Sequence, residues 1–179
     1  MMRLVTEQSG RFLDSHLLAG VDDTARRAVF ARLVETHVPA GTPLLTQGKS
    51  NEQLWFVLEG SVAIERKQRD GHLDVLATMS GPAIFGTTTF FRSAIPSATI
   101  RASSDLTLWT LDRPTYEALR LEDPKSAEAL ALAILRVISE RFDLLDDRLT
   151  ELMNENADDH RRANEWANFR SRLFEEPAL

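Results

Sequence analysis

Ile84-Phe85-Gly86-Thr87-Thr88-Thr89-Phe90-Phe91-Arg92-Ser93-Ala94-Ile95-Pro96-Ser97-Ala98-Thr99-Ile100-Arg101-Ala102 is the stretch around which the rest of the chain is organised. Gly86 follows two apolar residues. Lacking a Cβ, it lets the backbone turn sharply and come close to something small. Three threonines follow, each able to cap a short helix with its hydroxyl. The free amides at such a helix start suit an anion. A loop carrying Pro96 then leads into residues 98–102, where β-branched Thr99 and Ile100 indicate a strand. Strand, glycine turn, short helix, loop and strand make the layout of a phosphate-holding cassette.

Outward from the cassette, the hydrophobic period is two from residue 36 to residue 111, punctuated by Gly41, Gly48, Gly60, Gly71, Gly81 and Gly86. Many short strands between regular turn signals predict a sandwich or barrel. Residues 39–42 are a turn, and residues 44–48, Leu-Leu-Thr-Gln-Gly, a strand and turn. Leu54, Phe56 and Leu58 alternate with Trp55, Val57 and Glu59. Gly60 breaks that run, and Val62 and Ile64 resume it. Asp70-Gly71 is a hairpin signal between polar residues 66–69 and a strand over 72–79. Leu106, Leu108 and Thr110 alternate through the last strand, which ends at Asp112. Upstream, Phe12, Leu13, Leu17 and Leu18 fit a short helix closed by Gly20. Asp22 caps a second helix that carries Ala25, Val29 and Leu33 at helical spacing.

Downstream, Arg113-Pro114-Thr115 starts a helix with proline near its first position, and Asp123-Pro124 begins the longest one. Leu135, Ile138, Phe142, Leu145, Leu149 and Leu152 alternate in steps of three and four, a heptad seam. Over residues 124–153 that helix reaches about 45 Å at roughly 1.5 Å per residue, longer than one small barrel covers. The expectation is a dimer helix; the alternative is a helix lying along its own barrel. The tail is polar apart from Trp166, Phe169, Leu173 and Phe174 at helical spacing. It folds back on the barrel or binds a partner. The chain thus divides into N-terminal helices (1–35), a roll (36–112) with the cassette at 84–102, C-terminal helices (113–153) and an amphipathic tail (154–179).

Phe85, Gly86, Ala98 and Thr99 match a cassette of the form Phe-Gly-Glu, several mostly apolar residues, then Pro-Arg-small-Ala-Thr. On these residues the chain resembles the cyclic-nucleotide-binding domain of catabolite-activator-type regulators, kinase regulatory subunits and gated channels. Residues 44–48 resemble that family's apolar strand ending in Gln-Gly or Glu-Gly. Residues 54–62 resemble its Leu-Tyr-x-Val-x-x-Gly-x-Val strand, and residues 17–34 the helices that lead into its barrel. The resemblance covers about residues 17–153. It implies an α+β fold: an antiparallel β-roll, or jelly-roll barrel, flanked by N-terminal helices and a long C-terminal helix that pairs in parallel with a second copy.

In that family the Glu holds the ribose hydroxyl of the nucleotide and the Arg pairs with its cyclic phosphate. Here the Glu position is Thr87. Counted without gaps, the Arg position is Pro96; setting Pro96 on the family's proline instead deletes the Arg. No neutral residue imitates a permanently charged planar fork, and proline lacks even its own amide donor. Losing both partners costs on the order of several kcal/mol, roughly a thousandfold or more in affinity. The expectation is a stand-alone, non-catalytic regulatory or adaptor protein that does not bind cAMP or cGMP in the usual way and acts through protein contacts. The competing expectation is a true sensor of a cyclic nucleotide, a cyclic dinucleotide or another small anion, held by Gly86, Thr87, Thr88, Thr89, Arg92, Ser97, Ala98 and Thr99. Arg92 and Arg101 are the nearby cations that would replace the lost one. The plainer reading makes Arg92 a solvated loop residue and Arg101 an outward-facing strand residue.

Composition bounds the alternatives. The 179 residues suffice for one domain with a core and one long appendage. With 43% hydrophobic and 27% charged residues, the chain falls in the ordinary soluble globular class. It has no cysteine, which excludes disulfides, thiol catalysis and cysteine-held metal or iron–sulfur sites, and fits a reducing, cytoplasmic compartment. A formal net charge of −6 argues against DNA or an anionic membrane as main partner. No apolar run approaches membrane-spanning length, and residues 1–10 show no signal-peptide core. The residues after Met153 are too few for the winged helix-turn-helix of the activators, and their four Arg face six Asp or Glu. His16, His37, His72 and His160 lack ligand spacing, so neither a metal nor another cofactor is expected. A cupin-type enzyme would need clustered His and Glu on facing strands, which the segments around His37 and His72 lack. Asp22-Asp23 and Asp146-Asp147 read as a cap and a solvated helix face, and Trp55 and Trp109 as core or sheet-face residues. No catalytic constellation emerges. The expected partners are a second copy and an unidentified protein, not DNA or membrane.

Overall fold

The computed structural model describes residues 14–92 and 94–155. Phe12, Leu13, the side chain of Leu152 and the stripe from Trp166 to Phe174 lie outside the described residues. The chain divides into two compact units, with the boundary between Arg136 and Val137.

The first unit opens with a 3-10 turn, His16–Leu18, and helix α1 (Asp23–Phe30). Asp22 caps α1 as its residue type predicts: the carboxylate accepts from the amides of Thr24 and Ala25, both at 2.8 Å. Eight strands follow: β1 (Val34–Val38), β2 (Pro43–Leu45), β3 (Gln53–Glu59), β4 (Ser61–Lys67), β5 (Leu73–Ser80), β6 (Ala83–Phe85), β7 (Thr99–Ala102) and β8 (Leu106–Asp112). They form two four-stranded antiparallel sheets, in the orders β1-β8-β3-β6 and β2-β7-β4-β5. This is the antiparallel β-roll with flanking helices that the alternation and the resemblance imply.

The core lies between the sheets. Val57, Phe85, Leu106 and Leu108 come from one sheet; Leu45, Val62, Ile100 and Ala102 come from the other. Burying each such aliphatic or aromatic side chain contributes about 1.5–3 kcal/mol, so the period-two pattern specifies which face closes inward. Leu44, Trp55 and Met79 pack on this core while partly buried.

Asp112 caps helix α3 (Arg113–Glu122), accepting from the Thr115 amide at 2.7 Å, with Pro114 in the first turn. Between β6 and β7 lies the four-residue helix α2 (Thr87–Phe90). Helix α4 (Pro124–Glu155) has 32 residues. Its first part buries Ser126, Ala127, Leu130, Ala133 and Ile134, spaced one, three and four apart along one stripe. Ala133 forms a small second cluster with Val21 and Ala25. The predicted seam runs along a different stripe. Leu135 is 57% exposed, and in the second unit Phe142 and Leu145 are 48% and 55% exposed. Ile138 and Leu149 are half-buried.

Candidate functional site

The cassette starts where β6 ends. Gly86 has φ +82, and a Cβ there would sit 2.5 Å from the Gln53 carbonyl oxygen and 3.1 Å from Asn51 Nδ2. Only glycine accepts both the left-handed backbone and this close approach. Gly86 is itself the N-cap of α2, with no side-chain cap. The expectation that a threonine caps this helix is therefore corrected: the turn is made by the glycine backbone, and the hydroxyl of Thr89 goes elsewhere. Thr89 Oγ1 donates to the Gly86 carbonyl at 3.1 Å and accepts from Asn51 Nδ2 at 2.9 Å. The same Asn51 amide donates to the Gln53 carbonyl at 2.7 Å. Asn51 thus fastens the helix to the start of β3. Thr87 and Thr89 are buried, whereas Thr88 and Arg92 are exposed.

Phe90 closes the helix from beneath. It is fully buried, packs edge-on against Phe91 and Tyr116, and has the Arg113 guanidinium 4.9 Å above its ring. Burial, and secondarily the Glu117 carboxylate, push the Tyr116 hydroxyl above its ordinary pKa. Tyr116 therefore stays a neutral donor, facing the Ala127 carbonyl.

The second half of the cassette is tied to different neighbours. Pro96 is buried, and its carbonyl accepts from the Gly48 amide at 3.0 Å. Thr99 Oγ1 accepts from the Gln47 amide at 3.1 Å. The Gln47 side chain brackets Lys67, donating to its carbonyl at 3.1 Å and accepting from its amide at 2.8 Å. Ser97 is exposed, and its carbonyl accepts from Arg66 Nε at 3.3 Å. Ala98 is half-buried. Gly86, Thr87 and Thr89 thus stand against β3, and Ser97 and Thr99 against the β2 turn and β4.

Charge is sparse here. Arg101 is engaged in the sheet: its Nε lies 3.0 and 3.3 Å from the two carboxylate oxygens of buried Glu65, and its Nη1 donates to the Gly41 carbonyl at 2.9 Å. These contacts tie Arg101 into the sheet. Trp55 stacks on Phe85 at 5.8 Å and 11°, and its buried Nε1 has no hydrogen-bond partner. Sequence reasoning read Trp55 as a core or sheet-face residue and singled out none of Asn51, Gln47 and Arg66 for the site. A signal existed for Asn51, an Asx-type residue two positions before a strand. Among the described residues no group of three His, Cys, Asp or Glu is gathered to hold a metal, and no helix is long and apolar enough to cross a membrane.

The family model for the cyclic nucleotide-binding domain matches residues 35–123. The sequence is 30% identical over 151 residues to a cAMP-dependent protein kinase regulatory subunit of Colletotrichum trifolii, covering 79% of this chain and 35% of that one. The chain therefore spans about a third of the length of that curated relative. It is 28% identical to the solved catabolite activator protein of Thermus thermophilus, with a TM-score of 0.61, covering 76% of this chain and 63% of that one. A cyclic nucleotide-binding domain from Methylobacillus flagellatus shares the fold with a TM-score of 0.67 at 22% identity, covering 73% of each chain. Through its β-roll and the cassette between β6 and β7, the chain belongs to the cyclic nucleotide-binding domain family.

Proposed function

We propose that this protein is a non-catalytic regulatory or adaptor protein of the cytoplasm, that its roll does not bind cAMP or cGMP in the usual way, and that it acts through protein contacts. The observation that carries this reading lies at the two positions where the family holds its ligand. Thr87, in the Glu position, is neutral and 4% exposed. Pro96, in the Arg position, is buried with its carbonyl already bonded to Gly48. Neither offers the charge with which the family's Glu and Arg hold a ribose and a phosphate. The relatives named above are a kinase regulatory subunit and an activator, which supports a regulatory role.

The uncovered seam of α4 supports a homodimer. A second copy in parallel covers Leu135, Ile138, Phe142, Leu145, Leu149 and Leu152 by knobs-into-holes packing. At about 25 cal/mol per Å² of apolar surface, covering such a seam on two chains is a sizeable driving force.

Calorimetric titration with cAMP, cGMP and a cyclic dinucleotide, with light scattering on the same sample, tests both parts. The expected outcome is no heat at micromolar concentration and a dimer mass. Micromolar binding of any of the three overturns the loss of usual sensing, and a monomer mass removes the dimer.

A further inference from the structure

The exposed seam of α4 is flanked by charges, and their placement depends on which way a partner runs. Phe142 and Leu149, one heptad apart, form one row of the seam; Ile138 and Leu145 form the other. In the second unit Phe142 and Leu145 stand largely open, as given above. The positions just before the first row and just after the second line the edges of such a seam. Arg141 and Arg148 precede Phe142 and Leu149, so the leading edge is cationic. Asp146 follows Leu145, so the trailing edge carries a carboxylate. Arg141 and Arg148 are exposed and Asp146 is half-buried. Arg148 also donates to Glu151 on its own helix at 2.8 Å.

Two helices that meet through such a seam bring their edges together, and direction decides which edges meet. In a parallel pair, each leading-edge residue faces the partner's trailing-edge residue five positions on. Arg141 then faces the partner's Asp146, and two-fold symmetry makes the same ion pair again. A parallel pairing slipped by one heptad keeps one such pair, Arg148 of one copy against Asp146 of the other. In an antiparallel pair, leading edge meets leading edge. With Phe142 packed on the partner's Leu145, Arg141 then faces the partner's Arg148, and cation meets cation twice. The edges are thus complementary to themselves in one arrangement, which points to a second copy of this chain as the occupant of the seam.

We propose that Arg141 and Asp146 are the residues that choose this partner and its direction: reciprocal Arg141–Asp146 ion pairs hold two copies parallel and in register. The apolar rows supply most of the affinity, and the edge charges discriminate among the ways of covering them. The proposal rests on the dimer reading above and is independent of what the cassette binds.

The test is a charge exchange in the full chain, with dimer affinity read by sedimentation over a dilution series and folding checked by circular dichroism. Arg141→Glu loses two ion pairs and gains two like-charge contacts. At two- to threefold for each, its dimer is expected to be about thirtyfold weaker than wild type. Asp146→Arg is expected to weaken it to a similar extent. An equimolar mixture of the two variants sets opposite charges together on both edges, and is expected to dimerise within about threefold of wild type. Direction is read separately. The chain has no cysteine, so Leu149→Cys carries a single thiol, and a parallel, in-register pair brings two of them together. Oxidised glutathione is expected to yield a disulfide-linked dimer that reductant separates. Single variants as tight as wild type, a mixture no tighter than either variant, or a dimer mass without the cross-link would each overturn this proposal alone. A monomer mass for the wild type, with the seam covered by the chain's own tail, overturns the dimer reading and this proposal with it.

Discussion

Replacing Arg101 by alanine removes the guanidinium that meets both carboxylate oxygens of buried Glu65, while leaving the candidate ligand-binding residues intact. The side chain of Glu65 is 10% exposed and that of Arg101 39%. Arg101 gives Glu65 a contact to both oxygens and also holds the Gly41 carbonyl, so it joins β7, β4 and the β1–β2 turn. Breaking a buried ion pair from one side costs about 3–5 kcal/mol, because the other charge is stranded. Here the guanidinium side is partly open and water enters the vacated space, so the expected cost is about 2–3 kcal/mol. Urea unfolding followed by circular dichroism measures it. Arg92→Ala is the control, exposed and expected within about 0.5 kcal/mol of wild type. The double variant Glu65→Ala/Arg101→Ala is expected to recover part of the loss, since no stranded charge remains. If Arg101→Ala unfolds at the same urea concentration as Arg92→Ala, Arg101 is not a structural arginine.

Three further outcomes follow from the same geometry. Gly86→Ala combines left-handed backbone strain with a Cβ 2.5 Å from the Gln53 carbonyl, for a cost of about 2–4 kcal/mol in urea unfolding; a cost below about 1 kcal/mol would contradict the close approach. Phe142→Glu puts a charge on the exposed seam and is expected to halve the mass seen by light scattering without lowering the urea midpoint of the roll. Asp123 is held below its ordinary pKa chiefly by the Ser126 hydroxyl and then by the Ser126 amide. Its folded value is depressed, so its contribution is full above the ordinary aspartate range and is lost as pH falls through the lowered value. Ser126→Ala is expected to move the Asp123 carboxyl titration upward by NMR, and an unmoved titration would disprove the hydroxyl's role.

Much of the roll was legible because its signals are local. Asp22 and Asp112 lie where their caps are needed, Asp70-Gly71 makes the β4–β5 turn, and period-two alternation marks the inner face of β7, where Ile100 and Ala102 are buried. The site was less legible because its contacts join residues far apart in the chain. Asn51 meets Thr89 across 38 positions, Gln47 meets Thr99 across 52 and Arg66 meets Ser97 across 31. Which partners meet depends on strand register and on the order β2-β7-β4-β5, and alternation alone fixes neither. The threonine run illustrates the same limit from the other side. Three hydroxyls in a row suggested capping or ligand contacts, but burial of Thr87 and Thr89 follows from how α2 lies against β3.

Those distant contacts also bear on what the cassette is for. A phosphate loop that a ligand must order would be expected to leave its donors and carbonyls facing solvent until the ligand arrives. Here the protein supplies partners of its own: Asn51 and Thr89 hold the first half, and Gln47, Gly48 and Arg66 hold the second. The ordering cost of the loop is met on folding, so a ligand gains little by closing it. Any ligand must instead find groups that folding leaves unpaired. Among the described residues around the cassette, the buried Trp55 indole N–H is such a group.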